Sequence, residues 1–188
     1  MSSPEDLIAR ARRGDEEAFR LIFERYTRPV ISFIFYMVNR RELAEELAQE
    51  TFARAYRHMR TLRDANKLST WIFGIARNVA REYLRSQGRS GHSVELDHSD
   101  ALKLSAEDDS PVVKLLDKEL QAVMRRALSA LDEDKRLVFT LKVYQQCSYE
   151  EISEITGFSM PKIRNDLSRA RAELRRRLSR YMGIEYEM

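Results

Sequence analysis

Between Lys162 and Arg180, eight basic residues (Lys162, Arg164, Arg169, Arg171, Arg175, Arg176, Arg177 and Arg180) face only Asp166 and Glu173, a formal net charge of +6. Guanidinium and ammonium groups at that density suit one chemistry above others, the neutralisation of nucleic-acid phosphates. Short polar side chains come early in the stretch, where base edges would be read, and arginines follow, where a phosphate backbone would lie. Met160, Lys162, Arg164, Asn165, Ser168, Arg169 and Arg171 form the candidate duplex-contacting set. A solvated face is the plainer account of most basic helices, so the case depends on what positions these residues.

Ile163, Leu167, Ala170, Leu174 and Leu178 recur at spacings of 4, 3, 4 and 4, the pattern of one buried helical face. At about 100° per residue, Lys162, Asn165, Ser168, Arg169 and Arg176 fall opposite, with Arg164, Arg171 and Arg175 at the borders. Upstream, Glu150 to Ile155 reads as a short helix stopped at Gly157. Ser159 then serves as a cap, and Pro161 is tolerated in the first turn of the second helix. Helix, glycine-containing turn and basic helix together read as a helix-turn-helix, built to pack by one side and enter a major groove by the other.

A second basic stripe lies in a predicted helix from about Ser69 to Ser86. Arg77, Arg81 and Arg85 recur every four residues beside Asn78, opposite an apolar face of Ile72, Ile75, Ala76, Val79 and Tyr83. Trp71 stands at its entrance, after a polar loop from Thr61 to Lys67. An aromatic ring beside spaced arginines is how proteins hold single strands. Taken alone, this stripe is a weak signal, and a solvated face is its plainer account.

Elsewhere the chain reads as scaffold. Its 188 residues are 43% hydrophobic and 34% charged with six glycines, the profile of a helix-rich protein. Ser3, Pro4, Glu5 and Asp6 open a helix that ends at Gly14. Asp15 opens another, whose broad stripe (Phe19, Ile22, Phe23, Tyr26, Val30, Phe33, Ile34, Met37) passes through Pro29, a candidate kink. A third helix, about Arg41 to Met59, is acidic first and basic later, with Leu47, Phe52, Ala55 and Tyr56 as its core face. Glu46, Gln49 and Glu50 then remain as an exposed acidic patch, a candidate docking surface.

From Gly88 to about Pro111, glycines, serines and acidic residues read as a tether, whose acidity would stay solvated, lie in a positively charged channel of a partner, or mimic nucleic acid against the chain's own basic faces. Leu120, Val123, Met124, Ala127, Leu128 and Leu131 form one amphipathic helix beyond it. Leu137, Val138, Leu141 and Tyr144 form another.

Cys147 is the single cysteine, so no internal disulfide is possible. His58, His92 and His98 lack metal-ligand spacing, and neither a cofactor nor a metal is expected. No nucleophile motif or phosphate loop is present, so the chain is not expected to be an enzyme. It has no apolar run of membrane-spanning length and no secretory start, which predicts a cytoplasmic protein without membrane insertion. A monomer is expected when the chain is free.

Four stretches resemble the bacterial sigma-70 family in its compact extracytoplasmic-function (ECF) group. ARRGDEEAFRLIFERY resembles its N-terminal opening, AEELAQETFARAYRHM its region 2.2, STWIFGIARNVAREYLRSQGR its regions 2.3 to 2.4, and SYEEISEITGFSMPKIRNDLSRARAELRRRL its region 4.2. Their order and the intervening linker make the resemblance stronger than any single match.

The resemblance implies an all-α fold of two small helical domains, sigma region 2 (residues 1–88) and sigma region 4 (115–182, with the helix-turn-helix), joined by a flexible acidic linker (89–114). It implies a subunit of RNA polymerase that directs promoter-specific initiation. Glu46, Gln49 and Glu50 would dock on the beta-prime clamp helices, and the beta flap would be a further contact. Asp64, Asn66, Lys67, Ser69, Trp71, Arg77, Asn78, Arg81 and Arg85 would recognise and melt the -10 element, capturing a flipped base. The helix-turn-helix set would read the -35 element, and an anti-sigma factor would hold the protein in check.

Three positions depart from the family's usual pattern: Leu68 where Phe is common, Pro161 and Lys162 where Gly-Thr is common, and Asp166 where a basic residue is common. Asp166 sits near the border of the packing face and is expected to pair with a neighbouring arginine. The alternative reading is a two-lobed helix-turn-helix regulator that never joins polymerase. It leaves the acidic patch and the Trp71 helix without a purpose.

Overall fold

The computed structural model describes residues 4–89 and 122–182. Every element among the described residues is helical. In chain order they are α1 (Pro4–Arg12), α2 (Glu16–Val38), α3 (Arg41–His58), two 3-10 turns (Met59–Thr61 and Ala65–Lys67), α4 (Leu68–Arg89), α5 (122–129), α6 (Glu133–Phe139), a π turn (Thr140–Tyr144), α7 (Tyr149–Thr156) and α8 (Met160–Met182). The expected linker falls almost wholly outside the described residues.

Local chemistry sets the boundaries. α1 gives way at Gly14, whose φ of +92° suits glycine. Asp15 then caps α2 by accepting the Ala18 N–H at 3.0 Å, and holds Arg10 at 2.7 Å. At the far end Asn39 takes a left-handed conformation and donates its N–H to the Phe35 carbonyl. Pro29 does not divide α2, which runs as one helix from Glu16 to Val38.

Two helical domains result. In the first, α2 packs on α1, α3 and α4, and α3 packs on α4. Ile22, Val30, Phe33, Ile34, Met37 and Ile72 fill its centre. Large apolar side chains so enclosed contribute about 1.5–3 kcal/mol each relative to exposure. In the second, α6 and α7 pack on α8 around Leu128, Leu137, Leu141, Ile152, Ile163 and Leu167. The domains also meet, α4 against α7 and α2 against α6 and the π turn, so that one buried cluster runs through both.

Two expectations change here. α3 buries Leu43, Ala44, Ala48, Thr51, Phe52 and Ala55, while Tyr56 is 46% exposed and meets Phe19 edge-on at 5.0 Å. The stripe centred on residues 44, 48, 51 and 55 leaves position 56 about 100° away, on the helix flank. The helix after α6 does not stay regular either. Gln145 donates its N–H to the Thr140 carbonyl at 3.2 Å, which closes a wider turn and brings Tyr144 against Tyr36 of α2, rings 4.1 Å apart and nearly parallel.

Candidate nucleic-acid interface

α7 starts with a reciprocal cap. The Ser148 hydroxyl accepts the Glu151 N–H at 3.1 Å, and the Glu151 carboxylate accepts the Ser148 N–H at 2.6 Å. It ends at Gly157, φ +72°, whose N–H reaches the Ser153 carbonyl at 2.8 Å. Thr156 donates its hydroxyl proton to the Ile152 carbonyl at 2.6 Å and accepts the Phe158 N–H at 3.1 Å. Ser153 donates to the Phe158 carbonyl at 2.8 Å. So many bonds across three residues fix how α8 leaves α7.

The face that α8 turns to its own domain is as expected, with Ile163, Leu167, Ala170 and Leu174 buried. Arg164, Asn165, Ser168, Arg169 and Arg171 are all exposed on the other side. Met160 is half-buried and packs against the core. Lys162 is also engaged: its ammonium lies 2.7 Å from Asp166, 3.0 Å from Asp134 of α6, and 4.4 Å from the centre of the Phe158 ring. The bond to Asp166, then that to Asp134, raises the Lys162 pKa above its ordinary value. Asp166 is only 8% exposed, and a carboxylate so buried needs a cation. The cation is Lys162, one turn back, rather than an arginine.

Around the head of α4, Asp64, Lys67, Trp71 and Asn78 line one cavity of about 490 Å³. Asp64 shapes the approach by accepting the Asn66 N–H at 2.9 Å, which makes a short Asx turn. Thr61, Leu62, Arg63, Thr70, Gly74 and Ile75 complete this wall. A methyl group on Gly74 would meet no atom within 4 Å, so the missing side chain is part of the hollow. A glycine inside a helical run was the sequence signal for it.

The remaining strand-binding candidates are distributed along the same helix and loop. Asn66 and Arg85 are exposed, Ser69 is partly buried, and Arg77 and Arg81 are partly covered by the second domain. Arg81 Nε approaches Glu133 Oε1 to 2.8 Å, an ion contact without hydrogen-bond alignment. Lys67 meets Glu154 of α7 at 2.6 Å, and Glu154 lines the same cavity. That bond raises the Lys67 pKa. Glu154 had not been singled out from the sequence, because only the packing of α7 on α4 brings it there.

On α3, Glu46 and Gln49 are exposed. Glu50 is bound by Arg54 at 2.7 Å, and Arg54 reaches on to Glu82 of α4 at 2.9 Å. Two carboxylates raise the Arg54 pKa, and Arg54 in turn lowers that of Glu82. Glu50 therefore belongs partly to the α3–α4 joint.

Family comparison matches residues 22–90 to sigma-70 region 2 and residues 121–174 to sigma-70 region 4. The chain is 32% identical over 170 residues to the ECF RNA polymerase sigma-E factor of Salmonella typhimurium strain LT2, covering 88% of each chain. The same protein of Escherichia coli K12 gives the same figures, and that of Haemophilus influenzae is 29% identical over 181 residues, with 94% of this chain and 95% of the relative covered. The chain belongs to the ECF group of the sigma-70 family.

The region 2 match runs from within α2 to the end of α4, and the region 4 match takes in the helix-turn-helix. In fold, this sigma-70 chain is similar to CnrH solved in complex with the cytosolic domain of CnrY (TM-score 0.68, 21% identity, 92% and 95% of the two chains). It is also similar to the sigma factor RpoE solved with the anti-sigma factor NepR from Bartonella quintana (TM-score 0.70, 23% identity, 86% and 96%). No described helix of this family member is long and apolar enough to cross a membrane.

Proposed function

We propose that this chain is an alternative, ECF-type sigma factor that binds core RNA polymerase and directs promoter-specific initiation in the cytoplasm, without catalysing a reaction of its own. The observation that carries the reading is the pairing of two different nucleic-acid surfaces on two matched domains. One is the cavity at the head of α4, roomy enough to admit a base and lined by Asp64, Lys67, Trp71 and Asn78. The other is the exposed face of α8. The first suits a flipped base of the -10 strand, with Asn66, Ser69, Arg77, Arg81 and Arg85 along its path. The second suits the -35 duplex, with Asn165 and Ser168 toward base edges and Arg164, Arg169 and Arg171 toward phosphates.

The functional division we assign is residues 1–88 as the docking and melting domain, 89–114 as the tether and 115–182 as the -35 domain. Glu46 and Gln49, with Glu50 at the border, are assigned to the polymerase clamp. Because RpoE of similar fold was solved with an anti-sigma factor, we extend that mode of control to this chain.

Reconstitution tests the proposal. The purified chain added to core polymerase should form a stable complex and yield promoter-specific transcripts from a genomic promoter library. Absence of both sinks it. Glu46→Lys should weaken core capture and leave duplex binding by the free chain unchanged, whereas equal loss of both would signal misfolding.

A further inference from the structure

Residues 51–81 are the most one-sidedly basic part of the first domain. Six arginines and Lys67 face a single acidic residue, Asp64, whose carboxylate is already used by the turn it makes with the Asn66 N–H. Within this run Arg60 lies in the Met59–Thr61 turn, and Arg63 follows it on the wall of the cavity at the head of α4. Two further arginines, Arg12 and Arg13, end α1. The fold brings both pairs to one end of the domain. α1 packs against the two 3-10 turns. α2 then runs back along α3, with Phe19 edge-on to Tyr56 at 5.0 Å. The corner from Arg12 to Asp15, one turn before Phe19, therefore sits at the same end as Met59–Thr61, one turn after Tyr56.

A solvated face is the plainer account of most basic surfaces, and two observations count against it here. Arg12, Arg13, Arg60 and Arg63 are all exposed, and among the described residues no carboxylate pairs with any of them. Arg10, Arg20, Arg41, Arg54, Arg57 and Arg177 are each taken by one. The helix dipole accounts for a cation in the last turn of α1, which covers Arg12. It does not cover Arg13, Arg60 or Arg63, which lie outside the α-helices. Position matters as much as charge. The cavity is bounded on one side by α4 as far as Asn78 and on the other by Thr61, Leu62 and Arg63. Arg77, Arg81 and Arg85 lead away from it along α4, and Arg63, Arg60 and the α1 corner lead away in the other direction.

We propose that Arg12, Arg13 and Arg60, entered through Arg63, form a second phosphate-binding track, which holds single-stranded DNA where it leaves the cavity on the side away from Arg85. The inference rests on the reading of that cavity as a strand-capturing site, and it gives α1 a contact of its own. A base held against Trp71 fixes one nucleotide, and the phosphates on both of its flanks then need cations. The α4 stripe supplies one flank and the α1 corner the other. A strand gripped on both sides of the captured base is hindered from pairing again with its complement.

The test uses the full chain and two labelled single-stranded DNA oligonucleotides of mixed sequence, about 6 and about 14 nucleotides long, followed by anisotropy. The unaltered chain should bind the longer strand about tenfold more tightly than the shorter. Arg12→Gln, Arg13→Gln and Arg60→Gln together should cut that gain to about two- to threefold and reduce the salt slope for the longer strand by about two, while the shorter strand stays within about twofold. A control carrying Arg28→Gln, Arg40→Gln and Arg177→Gln removes the same charge from exposed positions elsewhere and should keep the gain. An intact gain in the track variant overturns the proposal, whether or not core polymerase capture is lost with it. An equal loss in the control reduces the effect to net charge, and an equal loss for both lengths places these arginines with the cavity or the fold; either result also overturns it. Should the triple variant fold poorly, Arg60→Glu alone should lower the gain at least about threefold and Arg60→Lys should retain it, and equal gains in those two count against the track. Transcription by the unaltered chain with core polymerase is scored separately, so failure of the sigma reading and failure of the track are distinguishable.

Discussion

Asp15 does two tasks with one carboxylate, capping α2 through the Ala18 N–H and holding Arg10. The Ala18 N–H first and Arg10 second hold its pKa below the ordinary carboxylate value. A folded-state pKa lowered in this way adds stability above the unfolded-state value and loses it as pH falls through the folded-state one. Thermal melts of the unaltered chain and Asp15→Asn should therefore differ most near neutrality and converge in acid. On α8 the side chains divide by task. Arg169→Ala should weaken binding to every promoter duplex and reduce the salt slope by about one, while Asn165→Ala should alter -35 preference, both read by anisotropy across salt and sequence. Lys162 shows where residue-level reading runs out. Its type and helix position suggested a base contact, yet Asp134, Asp166 and Phe158 surround its ammonium. Asp166 lay one turn away, a spacing that allows the pair although an arginine had been expected as its partner; Asp134 comes from α6 and left no local signal.

Among the elements, the helix-turn-helix was the most legible. Apolar spacing at Ile163, Leu167, Ala170 and Leu174 gave the buried face of α8, and Gly157 gave the turn. The reciprocal cap of Ser148 and Glu151 was also written in the sequence, three residues apart, although the glutamates of that run had been read only as helix. Removing it with Ser148→Ala should cost about 1 kcal/mol in a urea melt and loosen α7 before α8. The π turn was opaque. Leu137, Leu141 and Tyr144 fit a regular helix as well as the observed one, and no local rule marks where an extra residue will be inserted. Its cause lies in the contact it permits, Tyr144 on Tyr36, which is set by the other domain.

At the scale of the molecule, the carboxylates that meet basic residues at and beside α4 come from α6 and α7, Glu133 on Arg81 and Glu154 on Lys67. The tether itself lies largely outside the described residues. Joining of the domains was the part least available from sequence, since it depends on side chains from α2, α4, α6 and α7 meeting across long chain separations. A single buried cluster running through both domains predicts one cooperative unfolding transition by calorimetry. Tyr36→Ala removes the stacked ring at the joint and should split it into two, each domain melting by itself. One broadened transition without separation would assign the coupling to the α4–α7 contact.

Trp71 is the chain's single tryptophan, and it lines the cavity at the head of α4. The molecule thus carries one indole, excited apart from its eight tyrosines at the red edge of the absorption band, placed where a flipped base would arrive. Its emission reports on that spot alone, without any attached dye. A base stacking on the indole should quench the signal, and mixing the free chain with a single-stranded -10 oligonucleotide in a stopped-flow instrument would time strand capture as it happens.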